Sequence, residues 1–308
     1  MLKVFQTTLE TPVSFKGIGL HSGLESSIKI NPSEAHSGIV FKRVDLKKNN
    51  LIKANYLNVN SAKLCTTLEN KHGVKVSTVE HLLAALHIAE IDNALVEISA
   101  EEVPIMDGSA KEFLETLRLS KIKTLSEKRK FLKVKEKIEL LDGNRKISLE
   151  PDDDSLVIEF ELNYKNVIIG KQKNIVNFDK DSIEDVYQSR TFCLLKDIEE
   201  IKKAGLAKGG SLDNAVVVDE QKVLNKGGLR NSKEFVNHKI LDLLGDFALS
   251  GYKILGNVKC YQGGHQLTNM FLRKLLESPK IEIIEKQSEF SFSKKIKSQS
   301  SMKLAVNG

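Results

Sequence analysis

Short segments in which hydrophobic and polar residues alternate are the main pattern of the first 60 residues. Residues 26–30 have the two-residue period that is typical of half-buried β-strands, and residues 38–43 contain a short run of β-branched and aromatic residues that also favours a strand. The turn-forming residues 31–34 lie between these two segments. The pattern predicts that the N-terminal part of the chain consists mainly of short strands.

The hydrophobic period changes to that of a helix near Ser77. Leucine and alanine residues recur at helical spacing from there until the chain reaches Asp92. Ser77 and Glu80 have the spacing of a capping box, which predicts that this helix begins near Ser77. A strand over residues 94–98 and a second helix over residues 109–118 are expected to follow.

The second half of the chain repeats this order of elements. Residues 146–150 and 155–160 read as strands that are separated by a proline turn. A helical segment that carries His238 precedes a predicted strand at residues 258–261, just as the helix that carries His81 precedes a strand. We therefore predict an α+β protein with a duplicated fold and a site at the interface of its two halves.

The polar, charge-rich segment 121–130 is the predicted domain boundary, because linkers have this composition. The C-terminal residues are rich in lysine and serine, which is typical of a disordered tail. The predicted division is a first domain over 1–126, a second domain over 127–280 with an insertion near 195–225, and a flexible tail over 281–308.

Composition narrows the class of protein. The chain has 308 residues, 41% of them hydrophobic, without an apolar run long enough to span a membrane. The N-terminus lacks the apolar core of a signal peptide, so we expect a cytoplasmic protein.

The net charge of +6 suits an anionic partner, but the absence of tryptophan and of interleaved aromatic residues argues against nucleic-acid binding. Three widely spaced cysteines are expected to be free thiols.

His238, Asp242 and Asp246 are the most informative residues, because they are spaced four residues apart in a helical segment. This spacing places them on one face of the helix, where an imidazole and a carboxylate can hold a divalent metal ion. His81 is the candidate for a third ligand. Two histidines and one carboxylate predict a zinc site with an open position for water, and Glu80 beside His81 is a candidate proton acceptor.

His265 follows a predicted strand and two glycines, Gly263 and Gly264. Glycines let a substrate approach closely, so a histidine here is well placed to act as a general acid. Asp246 would orient His265 and keep it charged.

Several motifs occur in the same order in a known enzyme family. Over residues 5–275 the chain resembles the UDP-3-O-acyl-N-acetylglucosamine deacetylases, the zinc amidases of lipid A biosynthesis in Gram-negative bacteria. The matching segments are residues 17–23, 77–82, 104–110, 189–192, 209–215, 230–246 and 264–265.

The resemblance implies an α+β fold of two similar domains, each a small mixed β-sheet layered with helices, with the active site at their interface. It also implies a reaction and a role for each site residue. The reaction is hydrolysis of the acetamide of UDP-3-O-acyl-N-acetylglucosamine to a free amine and acetate, the committed step of lipid A biosynthesis. The implied zinc ligands are His81, His238 and Asp242. The implied catalytic groups are Glu80 as general base, His265 as general acid, Asp246 behind it, and Thr191 at the oxyanion.

The resemblance also implies how the UDP-linked, acylated amino sugar would bind. The implied substrate-binding residues are Lys239, Phe160, Phe192, Leu194, Leu20 and Gly264. Phe160 would pack on the uracil ring, and the insertion near 195–225 would form an apolar passage for the acyl chain. A monomer is expected, with peripheral association at the inner membrane because the substrate is acylated.

Two positions depart from the family pattern. Gln262 stands where the family commonly has a lysine, and a neutral amide holds a phosphate oxygen less strongly than an ammonium group does. Leu194 stands where an aromatic residue is often found, which would alter the mouth of the acyl passage. The C-terminal tail has no counterpart in the family pattern.

Two other classes of protein use similar residues. Two histidines and one carboxylate also form the facial triad of non-haem iron oxygenases, but those enzymes need neither a glutamate beside a ligand nor a distant general acid. A binding module with a structural metal is the second alternative. Structural zinc sites normally close with four protein ligands, and the sequence offers no convincing fourth.

Overall fold

A computed structural model of the protein describes residues 4–286, which form six sheets and six α-helices. The strands of the first half are β1 (Phe5–Leu9), β2 (Val13–Ile18), β3 (Glu25–Pro32), β4 (Ile39–Arg43), β5 (Leu51–Lys53), β6 (Val59–Ser61), β7 (Thr67–Glu69), β8 (Lys75–Val76), β9 (Ala94–Ile98) and β10 (Ile122–Lys128). Those of the second half are β11 (Lys130–Val134), β12 (Ile138–Asp142), β13 (Arg145–Glu150), β14 (Leu156–Asn163), β15 (Lys171–Asn177), β16 (Phe192–Leu194), β17 (Val216–Val218), β18 (Lys253–Ile254), β19 (Gly256–Tyr261) and β20 (Ile281–Glu285). The helices are α1 (Glu80–Ile88), α2 (Lys111–Leu119), α3 (Glu184–Tyr187), α4 (Ile198–Lys203), α5 (Glu234–Ala248) and α6 (His265–Leu276).

Two five-stranded sheets share one topology. Their strand orders are β2-β3-β9-β4-β5 and β12-β13-β19-β14-β15. In each sheet the third and fourth strands are parallel, and all other neighbours are antiparallel. Helix α1 precedes β9 along the chain, and α5 precedes β19 in the same way. The prediction of an α+β fold with two similar units is therefore confirmed.

The central strands of both sheets alternate between buried and exposed residues. In β14 the four apolar side chains at every second position are buried, which is the period of a strand with one face on the core. Strand β3 alternates in the same way. The buried apolar residues of both halves belong to one continuous core, so the two repeats pack directly against each other.

Helices α1 and α5 pack together at a glycine. A Cβ atom built on Gly245 would lie 2.1 Å from the carbonyl oxygen of Glu80, closer than any side chain allows. The missing side chain lets the two helices approach closely. This contact places the start of α1 beside the last turns of α5.

The capping box predicted at Ser77 is wrong. Helix α1 begins at Glu80 without a side-chain cap, and the Ser77 hydroxyl donates instead to the carbonyl oxygen of Glu101. Thr78 has a φ of +56°, which lies outside the helical region, so the residues before Glu80 cannot continue the helix.

The predicted flexible tail is also wrong at its start. Residues 281–285 form β20, which pairs antiparallel with β11 from Lys130↔Glu285 to Val134↔Ile281. A paired strand is ordered because its backbone hydrogen bonds are satisfied by the neighbouring strand. The rest of the predicted tail, from residue 287 onward, lies outside the described residues.

The charge-rich segment around the predicted domain boundary is itself a strand. Strand β10 pairs antiparallel with β1, so the chain crosses from one repeat to the next inside a sheet. The division of the chain at residue 126 stays a prediction. Among residues 4–286, the structure contains no helix that is long and apolar enough to cross a membrane.

Candidate metal centre and active site

Three buried side chains from two helices form a candidate metal centre. His238 and Asp242 lie one turn apart on α5, and His81 lies in the first turn of α1. Oδ1 of Asp242 is 3.2 Å from Nε2 of His238 and 3.5 Å from Nε2 of His81. The structure therefore brings together the three ligands predicted from the sequence, with one ligand atom from each within 4.8 Å of the others.

The electrostatics of these residues suit a cation. Burial lowers the pKa of His238 to about 3, so its imidazole is neutral at physiological pH, as metal binding requires. Nδ1 of His238 donates to the carbonyl oxygen of Ser189 at 3.1 Å, which leaves Nε2 as the free acceptor facing the cluster. Burial would raise the pKa of Asp242, but the neighbouring His238 and Lys239 hold it well below its usual range.

One oxygen of Asp242 identifies what the cluster lacks. Oδ1 of Asp242 is buried and has no hydrogen-bond partner. An unpaired buried carboxylate oxygen is costly unless a proton or a cation satisfies it. Two imidazole nitrogens and this oxygen form a donor set that fits a divalent metal ion.

His265 lies beside the cluster and is paired with an aspartate. Its Nδ1 donates to Oδ2 of Asp246 at 2.8 Å, and its Nε2 lies 3.7 Å from Oε1 of Glu80 and 3.9 Å from Oδ2 of Asp242. Burial alone would lower the pKa of His265, but Asp246 and Glu80 outweigh that effect and raise it to about 10. His265 is therefore a cation at neutral pH, with Nε2–H directed toward the site.

Glu80 faces His265 across the site. Burial raises the pKa of its carboxyl group, although the neighbouring His265 and His81 partly oppose this shift. A raised pKa makes a carboxylate a better proton acceptor near neutral pH.

Thr66 is a site residue that sequence reasoning missed. Its backbone N–H donates to Oε2 of Glu80 at 3.0 Å, and its hydroxyl donates to Oδ1 of Asp246 at 2.6 Å. Thr66 and Asp246 are 180 residues apart, so no local pattern could have indicated this contact.

A protein-family model extends over nearly all of the part of the chain that the structure describes. The match covers residues 6–277, and the family, LpxC, is described as UDP-3-O-acyl N-acetylglycosamine deacetylase. The chain belongs to this deacetylase family.

Individual members of the deacetylase family match over similar lengths. A protein from Geotalea uraniireducens, named UDP-3-O-acyl-N-acetylglucosamine deacetylase, is 45% identical over 273 residues, which cover 88% of each chain. A protein of the same name from Pseudoalteromonas translucida is 43% identical over 274 residues, and one from Haemophilus ducreyi is 39% identical over 274 residues. Both alignments cover 88% of this chain and 90% of the relative.

Lys239 and Phe192 lie beside the metal centre of this deacetylase-family chain. Nζ of Lys239 is 2.8 Å from Oδ2 of Asp242 and lies 5.5 Å from the centroid of the Phe192 ring. Burial would lower the pKa of Lys239, but Asp242 raises it to about 12. Phe192 also lies edge-on to His238, with ring centroids 6.3 Å apart. The structure thus places both predicted substrate-binding residues at the rim of the metal centre.

The prediction for Phe160 is wrong. Its side chain is 1% exposed and belongs to the core, so it offers no surface for a uracil ring. Phe160 lies on the inward-facing register of β14, as the alternation of that strand requires. Tyr164, just beyond β14, is half-buried, and its ring lies edge-on to Phe192 at a centroid distance of 5.9 Å. Tyr164 is an aromatic residue at the end of a strand beside the site, and this position was the sequence signal that could have identified it.

Leu20 and the insertion lie together. The backbone N–H of Gly209 donates to the carbonyl oxygen of Leu20 at 3.0 Å, and a Cβ on Gly210 would lie 3.7 Å from Cδ1 of Leu20. Leu194 is the last residue of β16, which pairs in parallel with β17. The insertion is therefore fastened to the loop that carries Leu20.

The remaining predicted residues have defined places. Thr191 is held by backbone hydrogen bonds to Gly108 at 2.8 Å and from Val216 at 2.7 Å, directly before Phe192. Gly264 directly precedes α6, which begins at His265. The side-chain amide of Gln262 exchanges two hydrogen bonds with the backbone of Asn163, at 3.0 and 2.5 Å. In this structure Gln262 therefore ties two strand ends together.

Proposed function

We propose that the protein is a zinc-dependent hydrolase that removes the acetyl group from UDP-3-O-acyl-N-acetylglucosamine, the committed step of lipid A biosynthesis. The observation that carries this proposal is the convergence of His81, His238 and Asp242 beside Glu80 and a charged His265. The names of the three relatives support the choice of substrate.

His81, His238 and Asp242 would hold the zinc ion. A zinc ion bound by two histidines and a carboxylate supplies Lewis acidity and lowers the pKa of water. The unpaired Oδ1 of Asp242, with Nε2 of His238 at 3.2 Å and Nε2 of His81 at 3.5 Å from it, supports this ligand set.

Glu80 and His265 would divide the proton transfers between them. Glu80 accepts a proton from the water that attacks the acetamide carbonyl, which its raised pKa favours. His265 donates its Nε2 proton to the departing glucosamine nitrogen as the C–N bond breaks. Asp246 keeps His265 protonated and oriented through the bond at Nδ1. The products are acetate and the free amine.

Other residues at the rim would bind the substrate. The Thr191 hydroxyl would donate to the oxyanion of the tetrahedral intermediate. Lys239 and Phe192 would contact the sugar end of the substrate. Leu20 and Leu194, with the insertion, would line a passage for the acyl chain. An acylated substrate also suggests that a monomeric, cytoplasmic enzyme works peripherally at the inner membrane.

Acetate release from UDP-3-O-acyl-N-acetylglucosamine tests the reaction and the metal together. We expect release that disappears after chelation and returns when zinc is added back. Magnesium added at the same concentration is the control, because it prefers oxygen ligands. Absence of release from folded, zinc-loaded protein would refute the proposed substrate.

Variants at the proton-transfer residues test the mechanism. Glu80→Ala should keep its zinc but lose at least about 100-fold in kcat, in line with general-base catalysis. His265→Gln should show a loss of similar size. A Glu80→Ala protein with full activity would remove Glu80 from the mechanism.

A further inference from the structure

Thr66 joins the two carboxylates that flank His265. It directly precedes β7, and its side chain is 2% exposed. Its backbone N–H donates to Glu80, and its hydroxyl donates to Asp246. The carbonyl oxygen of Thr66 also accepts from the N–H of Val79, at 3.4 Å, so the residue is tied to the turn that opens α1.

Each carboxylate uses one oxygen for Thr66 and the other for His265. In Asp246, Oδ1 accepts from the Thr66 hydroxyl at 2.6 Å, while Oδ2 accepts from Nδ1 of His265 at 2.8 Å. In Glu80, Oε2 accepts from the Thr66 N–H, and Oε1 faces Nε2 of His265 at 3.7 Å. Hydrogen bonds to one oxygen fix the rotation of a carboxyl group and so fix where its second oxygen points.

From this geometry we infer that Thr66 is a positioning residue, whose hydroxyl locks the Asp246 carboxylate in the orientation that aims His265 at the leaving nitrogen. The inference rests on the proposed deacetylation. Asp246 and Thr66 are both nearly inaccessible to water, so no solvent molecule is at hand to replace the hydroxyl. Without it, Oδ1 of Asp246 loses its partner and the carboxylate loses a fixed orientation.

Thr66→Val separates the hydroxyl contact of this residue from its backbone contacts. Valine has nearly the same shape as threonine and keeps the backbone N–H that holds Glu80, so the change removes only the hydrogen bond to Asp246. Thr66→Ser restores the hydroxyl. Thr67→Val, one residue further on, is the matched control, because the Thr67 hydroxyl contacts the Cys65 sulfur at 3.8 Å and neither carboxylate.

Steady-state acetate release by the zinc-loaded variants gives the first readout. For Thr66→Val we expect kcat to fall about 10- to 100-fold while KM stays within about twofold, because misorientation of an acid affects the transition state more than substrate binding. Thr66→Ser and Thr67→Val should retain kcat within about threefold. Zinc content measured on each purified protein should be unchanged.

The Nδ1–H proton resonance of His265 gives a second readout that needs no substrate. In the wild-type protein this proton should resonate far downfield, because it lies in a short bond to a carboxylate. It is assigned by its absence from His265→Gln. Thr66→Val should shift it upfield or broaden it by exchange, whereas Thr66→Ser and Thr67→Val should leave it in place.

The outcomes separate this inference from the proposed function. Wild-type protein without acetate release would refute the function, and the His265 resonance would still test Thr66. Active wild-type protein with an unchanged kcat and resonance in Thr66→Val would overturn the role of Thr66. A Thr66→Ser protein as slow as Thr66→Val would also overturn it. If Thr66→Val does not fold, Thr66→Ala takes its place in the comparison with Thr66→Ser, and the same outcomes support or overturn the role of Thr66.

Discussion

The buried ion pair between Arg190 and Glu234 provides the sharpest test of how the site is held. Glu234 is fully buried at the start of α5 and accepts from Nε of Arg190 at 2.8 Å and Nη2 at 3.2 Å. It also accepts from the backbone N–H groups of Arg190 at 3.1 Å and Arg230 at 2.7 Å. The neighbouring Ser189 provides the carbonyl oxygen that orients His238. The pair therefore fastens the segment behind a candidate metal ligand.

Glu234→Gln removes the charge and keeps the shape. The Arg190 side chain is 10% exposed, so the change leaves a nearly buried cation without its counter-ion. Removing one partner of a buried ion pair costs about 3–5 kcal/mol. The amide NH₂ group also faces donors, which places this variant at the upper part of that range.

Urea unfolding of the zinc-free proteins measures this cost. The matched control is Glu161→Gln, because Glu161 pairs with Lys171 at 2.9 Å and the lysine side chain is 67% exposed. Exposed pairs contribute about 0–1 kcal/mol, so the control should change the free energy of unfolding little. Zinc affinity of Glu234→Gln should fall about 10- to 100-fold, since the hydrogen bond that orients His238 is loosened. A loss of less than about 1 kcal/mol, or no difference from the control, would refute the anchoring role.

Three further predictions concern Gly245, His87 and Tyr164. Gly245→Ala should lower the free energy of unfolding by about 1–3 kcal/mol, because the new methyl group overlaps the carbonyl oxygen of Glu80. The control is Gly227→Ala, where a Cβ meets no atom within 4 Å. Equal losses in the two variants would contradict the close helix contact. Burial, together with nearby cations, lowers the pKa of His87 well below its usual value, so only the unfolded chain gains a proton at this residue as pH falls below about 6.5. The contribution of His87 to the free energy of unfolding is therefore complete above that pH and decreases as the pH falls. At pH 5.5 the free energy of unfolding of the wild-type protein should have fallen by about 1.4 kcal/mol more than that of His87→Gln. Parallel stability profiles of the two proteins would contradict this. Since Phe160 is buried, we expect Tyr164, which lies edge-on to Phe192, to pack on the uracil ring instead. Tyr164→Ala should then raise KM for the UDP-linked substrate about 10-fold with little change in kcat, and an unchanged KM would exclude this contact.

The proximity of the candidate metal ligands on α5 was predictable because their spacing is local. His238 and Asp242 are four residues apart in a strongly apolar segment, and helical geometry alone places them on one face. The repeat of strands around each ligand helix was likewise visible in the order of elements, and the shared sheet topology confirms it. Spacing on one helix cannot locate His81, whose place depends on the packing of α1 against α5.

Contacts between distant segments account for most of what the sequence did not reveal. Thr66 reaches Asp246 only because Gly245 lets two helices approach closely. The capping box at Ser77 was wrong for two reasons. The backbone turns at Thr78 with a positive φ, and the Glu80 carboxylate accepts from the backbone N–H of Thr66. Such competition between local and tertiary hydrogen bonds cannot be judged from spacing.

The error at Phe160 was avoidable. Residues 156, 158, 160 and 162 are all apolar and alternate with other positions, which is the pattern of a strand face on the core. A residue in that register points inward with its neighbours. The period of the strand was therefore a better guide to Phe160 than its likeness to a family position.

The division of the candidate ligands between α1 and α5 makes a bound ion a cross-link between the two repeats. His81 belongs to the first repeat, whereas His238 and Asp242 belong to the second, so the repeats cannot separate without releasing the ion. Thermodynamic linkage then requires the free energy of unfolding to rise by about 1.4 kcal/mol for each tenfold increase in free ion above its Kd. A bound ion would thus couple the unfolding of the two similar halves, and the transition midpoint would follow metal supply.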